Sequence, residues 1–246
     1  AYADLQDIDR YLLHRLQQLI QKARKAYEDY ELHLIYHALH NFCVLDLSAF
    51  YLDILKDRLY TSPPASRERR AAQSVMYILL SAMARMMAPI LAFTADEIWQ
   101  HMPVCKDKAA SVHFELLPEM QPEWIDETLA AKWGNLLAVR GEVTKALENA
   151  RVSKLIGHPL DAAVRLTAQG KVYDVLEEYR ADLGHLFIVS QASLETPETH
   201  LADAFASEEI DGLRIGVSRA AGEKCERCWV HDRSVGGDDE HPTVCQ

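Results

Sequence analysis

The first 133 residues of this 246-residue chain contain no glycine; Gly134 is the first, and all ten lie from there onward. Tight turns and hairpins call for residues that tolerate positive φ, and glycine is the usual one. A strand-and-turn architecture does not run that far without it, so the first half reads as helical. Its longest unbroken stretch is Glu31–Tyr60, which also lacks proline, so nothing there interrupts a helix. At 1.5 Å per residue this stretch would reach roughly 45 Å. Its apolar residues form two stripes at helical spacing. Leu32, Ile35, Tyr36, Leu39, Phe42, Cys43, Leu47, Phe50 and Ile54 make one; Leu34, Ala38, Leu45, Leu52 and Leu59 make the other. Two stripes require neighbours on two sides, which predicts the central helix of a bundle. Asp46 falls within the first stripe, and a carboxylate placed there requires a partner.

The rest of the first half follows the same logic. A helix is predicted over Leu5–Tyr27, with Leu5, Ile8, Leu12, Leu16, Leu19, Ile20 and Ala23 inward. Thr61–Ser66, with Pro63 and Pro64, is a loop, and Ser66 caps a helix over Arg67–Met87. Pro89 ends or kinks that helix. Thr94–Glu97 has the form of a capping box opening a short helix to His101. Pro103–Pro122 is irregular, and a long helix follows over Glu123–Lys154. Beyond Gly157 the texture changes. Leu160–Thr167 alternates like a strand, Val172–Leu183 reads as helix, and His185–Leu194 and Leu213–Ser218 read as strands. This is a small α+β unit. Glu195–Asp211 is an acidic connector, and the segment from Gly222 onward is too short and too hydrophilic for a core of its own.

Charge narrows the choice of partners. The chain carries a formal net charge of −11. Residues 1–103 are nearly neutral at −1, residues 104–220 carry −7, and the tail from 221 carries −3. A free-standing nucleic-acid binder usually shows a basic surface, so any such binding must use local patches. Two candidates are visible: Arg67, Arg69 and Arg70 at a helix start, and Arg140, Arg151 and Lys154, spaced to share one helix face. Each could equally be a solvated charge or half of an ion pair. No apolar run approaches the roughly 20 residues of a membrane span, and no secretory signal opens the chain; both predict a cytoplasmic protein without a membrane partner. The chain starts at Ala1 and reads as helix almost at once, as expected of a piece of something longer.

The five cysteines do not form a secreted disulfide framework. Cys43 falls in a helix and Cys105 beside a loop, whereas Cys225, Cys228 and Cys245 cluster at the end. Cys225-Glu-Arg-Cys228 is a C-x-x-C pair of the kind that builds tetrahedral thiolate zinc sites. Cys245 must fold back to join it, and Gly236 and Gly237 permit the reversal. A unit without a core needs such a staple. His231, His241 or water are candidates for a fourth ligand.

DLSAFYLDILKDRLY (46–60) and MAPILAFTADEIW (87–99) resemble the anticodon-binding bundle of class I aminoacyl-tRNA synthetases of the isoleucyl, valyl and leucyl group. GEKCERCW (222–229) and LENARVSKLIGHPLDAAV (147–164) resemble the C-terminal region of bacterial isoleucyl-tRNA synthetases. The resemblance implies a mainly α chain: a helical anticodon-binding bundle over 1–155, a small α+β junction domain over 156–220, and a zinc-binding segment over 221–246. It implies a structural zinc on Cys225, Cys228 and Cys245, the family's second C-x-x-C being represented by its first cysteine alone. It places Arg227 and Trp229 at the anticodon of tRNA(Ile), with Arg67, Arg69, Arg70, Arg140, Arg151 and Lys154 as phosphate contacts. It implies a monomer that binds no DNA. The family's ATP- and magnesium-dependent ligation belongs to a nucleotide-binding domain with HIGH-like and KMSKS-like motifs; neither string occurs here, so this chain by itself is expected to be inactive. A valyl or leucyl relative, or a zinc-ribbon interaction protein with a helical body, are the alternatives.

Overall fold

The computed structural model describes residues 2–105 and 108–246, so Ala1, Lys106 and Asp107 of the expected segments lie outside the described residues. The chain divides into two compact units, Ala1–Ala130 and Ala131–Gln246.

The enclosed helix of the first unit is α1, Asp7–Glu28, which buries Ile8, Leu12, Leu16, Leu19, Ile20 and Ala23 as their spacing predicts. The stretch expected to be central is one continuous helix over Leu32–Tyr60, but it has three parts. An α-helical start, α2 (Leu32–Asn41), passes into a π-helical segment, Phe42–Tyr51, and ends as α3, Leu52–Tyr60. Only one side is buried: Ile35, Leu39, Phe42, Phe50, Tyr51 and Leu55. Leu34, Leu45 and Leu52 of the second stripe are exposed, so among the described residues of this unit they have no covering neighbour. Between the two α-helical parts the π turn is wider, its hydrogen bonds running i→i+5. Its buried and half-buried residues, Phe42 and Cys43, Asp46 and Leu47, and Phe50 and Tyr51, come in adjacent pairs four residues apart, as a turn wider than 3.6 residues allows. The same helix corrects the membrane expectation. Its most apolar 18-residue window has a mean hydropathy of 1.3, enough by length and composition for a span. Its polar residues, however, are those of a bundle helix. Asp46 accepts from Arg15 Nε at 2.8 Å. Asp9 of α1, fully buried, accepts from the Tyr51 hydroxyl at 2.8 Å and from both terminal nitrogens of Arg58 at 3.0 and 2.9 Å.

The helix α4 spans Arg67–Met87, and the Ser66 hydroxyl accepts from the Arg69 N–H at 3.3 Å, as the sequence predicts. Ser66→Ala is expected to destabilise the first unit by about 1 kcal/mol, measurable by urea denaturation. The capping box at Thr94–Glu97 is a misreading. The helix α5 opens earlier and spans Ala92–His101, with Leu91 at its N-cap and no capping side chain. Asp96 instead accepts from the Ser111 hydroxyl at 2.6 Å and the Val112 N–H at 3.1 Å. That tie holds the irregular segment beside Trp99 and Met102. Polar side chains of α1 fasten the segment leading to α6. Arg24 donates to the Pro118 carbonyl at 3.2 Å, the buried Gln17 accepts from the Gln121 N–H at 2.7 Å, and the buried His14 Nδ1 accepts from the Asp126 N–H at 3.0 Å. A short 3-10 turn, Pro122–Trp124, replaces the expected first turn of α6, which spans Glu127–Val152 without a break at Gly134 or Gly141.

The second unit is built on a four-stranded sheet in the order β2-β1-β4-β3. The strands are β1 (Ala162–Thr167), β2 (Gln191–Leu194), β3 (Phe205–Ala206) and β4 (Arg214–Arg219). Parallel β1 and β2 are joined through α7 (Gly170–Glu178) and α8 (Leu183–Phe187), while β4 runs antiparallel to β1 and β3. The strand expected over His185–Leu194 is therefore only its last four residues. Leu183, Leu186 and Phe187 are buried at helical spacing in α8, and Ile188 turns the chain with a φ of 56°. The two-residue β3 lies inside the acidic connector, too short to leave a pattern.

The tail forms a hairpin, β5 (Glu223–Lys224) with β6 (His231–Asp232). Gly222 has φ of 95°, and a Cβ there would lie 2.3 Å from the Asp232 backbone, so only glycine fits. The hairpin base is fastened to the sheet. Gln191 of β2 donates to the Ala221 carbonyl at 2.7 Å and accepts from its N–H at 3.0 Å, and the His231 N–H donates to the Ser190 hydroxyl at 2.7 Å.

Candidate functional site

The three tail cysteines converge. Their sulfurs all lie within 4.8 Å of one another, with Cys228 and Cys245 Sγ 3.6 Å apart. Tetrahedral zinc–thiolate bonds of about 2.3 Å place neighbouring sulfurs about 3.8 Å apart, so the spacing fits a shared zinc ion. Backbone geometry sets this up. The Cys225 N–H donates to the Val230 carbonyl and the Trp229 N–H to the Cys225 carbonyl, both at 2.9 Å, closing a tight turn. The returning chain is fixed by the Glu226 N–H donating to the Thr243 carbonyl at 3.0 Å. The buried Cys225 Sγ accepts from the Cys228 N–H at 3.5 Å and the Cys245 N–H at 3.4 Å. Burial opposes ionisation of Cys225, but the N–H groups of Cys228, Cys245 and Arg227 outweigh it and bring the thiol down to about 6. Burial, with the neighbouring thiols adding to it, pushes Cys228 up to about 12 and raises Cys245 as well. Three sulfurs this close ionise together only around a cation. Neither histidine joins them. The His231 ring is taken by the Gly222 carbonyl at 3.2 Å and lies 3.6 Å from the Asp161 carboxylate.

Trp229 directly follows the knuckle, with φ of 66° and 60% of its surface exposed. The Lys224 ammonium sits over its ring at 5.9 Å, and Arg227 is exposed on the same turn. The other basic candidates are less uniform. Arg67 pairs with Asp4, and Arg69 donates to the Ser62 carbonyl at 3.2 Å. Arg70 is exposed, with no side-chain partner among the described residues. Arg140 donates to the Leu186 carbonyl at 3.0 Å, and Arg151 makes a two-pronged pair with Glu148 at 2.9 and 2.8 Å. Lys154 does not share their helix face, because α6 ends at Val152 and Lys154 has a φ of 60°.

Residues 9–166 match the family described as the anticodon-binding domain of tRNA ligase. The chain belongs to that family. Residues 222–246 of this anticodon-binding protein match the zinc finger found in FPG and IleRS, which together with the cysteine cluster makes the tail a structural zinc unit. Among its relatives are the isoleucine–tRNA ligases of Geobacter sulfurreducens, 52% identical over 99% of this chain, and Desulforamulus reducens, 49% identical over 100% of this chain. That of Moorella thermoacetica is 44% identical over 99% of the chain. In each case the match covers 26% of the relative, so the chain spans about a quarter of the curated proteins it resembles. Within the residues matched to that family the sequence reading missed Asp9, whose position in the inward stripe of α1 between Ile8 and Leu12 was the available signal. It also missed Lys224, which only the pairing of β5 with β6 brings across to Trp229.

Proposed function

We propose that this chain grips the anticodon stem-loop of tRNA(Ile) as the C-terminal part of an isoleucine–tRNA ligase, a monomeric cytoplasmic enzyme. The ATP-dependent joining of isoleucine to tRNA belongs to the remainder of such a ligase. The observation that carries this reading is the exposed Trp229 ring held beside the cysteine knuckle under a lysine ammonium. Single-stranded RNA loops are read by splaying bases onto aromatic rings and hydrogen-bonding their edges. A ring fixed at a metal knuckle loses little entropy on stacking, and Lys224 and Arg227 supply charge against the phosphates of a flipped base. Of the six basic residues expected to contact phosphates, Arg70 and Lys154 are exposed with no side-chain partner among the described residues, and such contacts position without specifying. The overall charge of −11 opposes this association, so binding is expected to be weak and to fall steeply with salt.

The test is an affinity measurement with tRNA(Ile) and two non-cognate tRNAs at low and moderate salt. Trp229→Ala is expected to weaken cognate binding roughly tenfold, the scale of one lost base stack, while zinc content stays unchanged. Equal affinity for all three tRNAs, or an unaltered affinity in the variant, would refute this function.

A further inference from the structure

We infer that His33 and His37, on the exposed face of α2, chelate one divalent transition-metal ion of the kind that prefers imidazole, such as nickel, copper or zinc. The two lie four residues apart within α2, Leu32–Asn41. Side chains at that spacing stand one above the other, with Cβ atoms about 5–6 Å apart. Two imidazoles on adjacent turns can then reach one ion at about 2.0–2.1 Å, in the register that the histidines of an H-E-x-x-H helix use. Both side chains are exposed, while Ile35 and Leu39 between and beyond them are buried. The nitrogens of neither ring make a hydrogen bond or an ion pair among the described residues, so no such bond has to break before a metal binds.

The surroundings favour a cation. No lysine or arginine occurs between Lys25 and Lys56, whereas Glu28, Asp29 and Glu31 directly precede the pair. Asp29 is held by Lys25, but Glu28 and Glu31 are exposed and form no hydrogen bond or ion pair among the described residues. The Tyr36 ring packs against His37, with centroids 5.2 Å apart, and against His40 at 5.8 Å. That contact limits the rotamer freedom His37 loses on binding, and it draws His40 back onto Tyr36, leaving the chelating pair to His33 and His37. Nitrogen donors select transition metals over magnesium and calcium, which take oxygen. The consequence is mechanical. Helix α2 opens at Glu31 without a capping side chain, just after Tyr30 turns the chain at a φ of 59°, so its first N–H groups lack intrahelical partners. A metal held across His33 and His37 staples that turn. The helix dipole opposes a cation there, but weakly beside two coordinate bonds and two nearby carboxylates. The site shares no residue with the cysteine cluster and does not rest on the function proposed above.

The experiment takes the intact chain with its cysteine cluster loaded with zinc and titrates it with nickel(II) chloride, a paramagnetic probe. Histidine ring resonances are followed by NMR and zinc content by mass spectrometry. The His33 and His37 signals are expected to broaden first and saturably, with zinc content unchanged. His33→Asn and His37→Asn should each abolish the saturable phase. Leu32→His combined with His33→Leu keeps the number of histidines but sets the pair five residues apart, on different sides of the helix, and should abolish it as well. His40→Asn should retain it. All of these positions are exposed, so the variants keep the fold. Because the ion binds the helix and not the unfolded turn, nickel should also slow hydrogen exchange at the Tyr36 and His37 amides in the unaltered chain and not in His33→Asn. Broadening that begins at other histidines, or that survives His37→Asn or the exchange of Leu32 with His33, overturns the inference, as does its loss in His40→Asn.

Discussion

Asp9→Ala is expected to cost the first unit about 3 kcal/mol or more. Asp9 is fully buried and answers four donors: the Tyr51 hydroxyl, two nitrogens of Arg58 and, at 3.4 Å, the Gln6 N–H. The Arg58 side chain is itself only 14% exposed. Removing one partner of such a pair leaves a buried charge without compensation, and measured costs for that run to about 3–5 kcal/mol. The Tyr51 hydroxyl would lose its acceptor at the same time. The measurement is urea denaturation followed by hydrogen exchange on α1 and α3. Asp9→Leu combined with Arg58→Met should restore much of the loss, because paired apolar replacements avoid the stranded charge. A single variant that loses less than about 1 kcal/mol would show the pair to be solvated.

Cys225→Ser should abolish zinc binding. Cys225 is the buried centre of the cluster, its sulfur accepting from two of the N–H groups that shape the turn. Serine offers a harder, weaker donor, and in a unit without its own core the metal supplies most of the folding free energy. Zinc content measured by mass spectrometry should fall to background, and amide protection should be lost around Cys228, Trp229 and Cys245. Protection in α1 and β1 should not change. The hairpin base at Gly222 and His231 should keep partial protection, because Gln191 and Ser190 hold it independently of the metal. Retention of zinc, or uniform loss of protection through the sheet, would contradict this division of labour.

The features legible in the sequence were those written by local chemistry. Ser66 announces its helix because a cap acts within three residues, and the cysteine cluster is visible because its ligands come in a short motif and one return. Asp46 could be flagged as needing a partner but not matched to Arg15, which lies 31 residues away. The basic residues were illegible for the same reason: Arg67 is answered by Asp4, and Arg140 by a backbone carbonyl. Thr94–Glu97 misled because Asp96 serves a distant loop rather than its own helix. In α8 the apolar residues fit a short helix and a strand equally well, and burial of Leu183, Leu186 and Phe187 decided the matter.

The π-helical segment bears on how this chain can change length. With about 4.4 residues per turn in place of 3.6, ten residues of π-helix lag an α-helix by roughly half a turn. The angular setting of α3 therefore depends on how many residues lie between Phe42 and Tyr51. Deleting one of them would favour relaxation to α-helix and swing α3 about the common axis, carrying Arg58 away from Asp9. Surface loops absorb insertions and deletions readily, and an ordinary helix end can fray to take one up. This stretch has neither outlet, because its middle and its C-terminal end are tied to α1, through Asp46 on Arg15 and Tyr51 on Asp9, and Arg58 of α3 holds the same Asp9. Substitutions on its exposed side should be freely accepted, while any change in residue count between Phe42 and Tyr51 should be rejected.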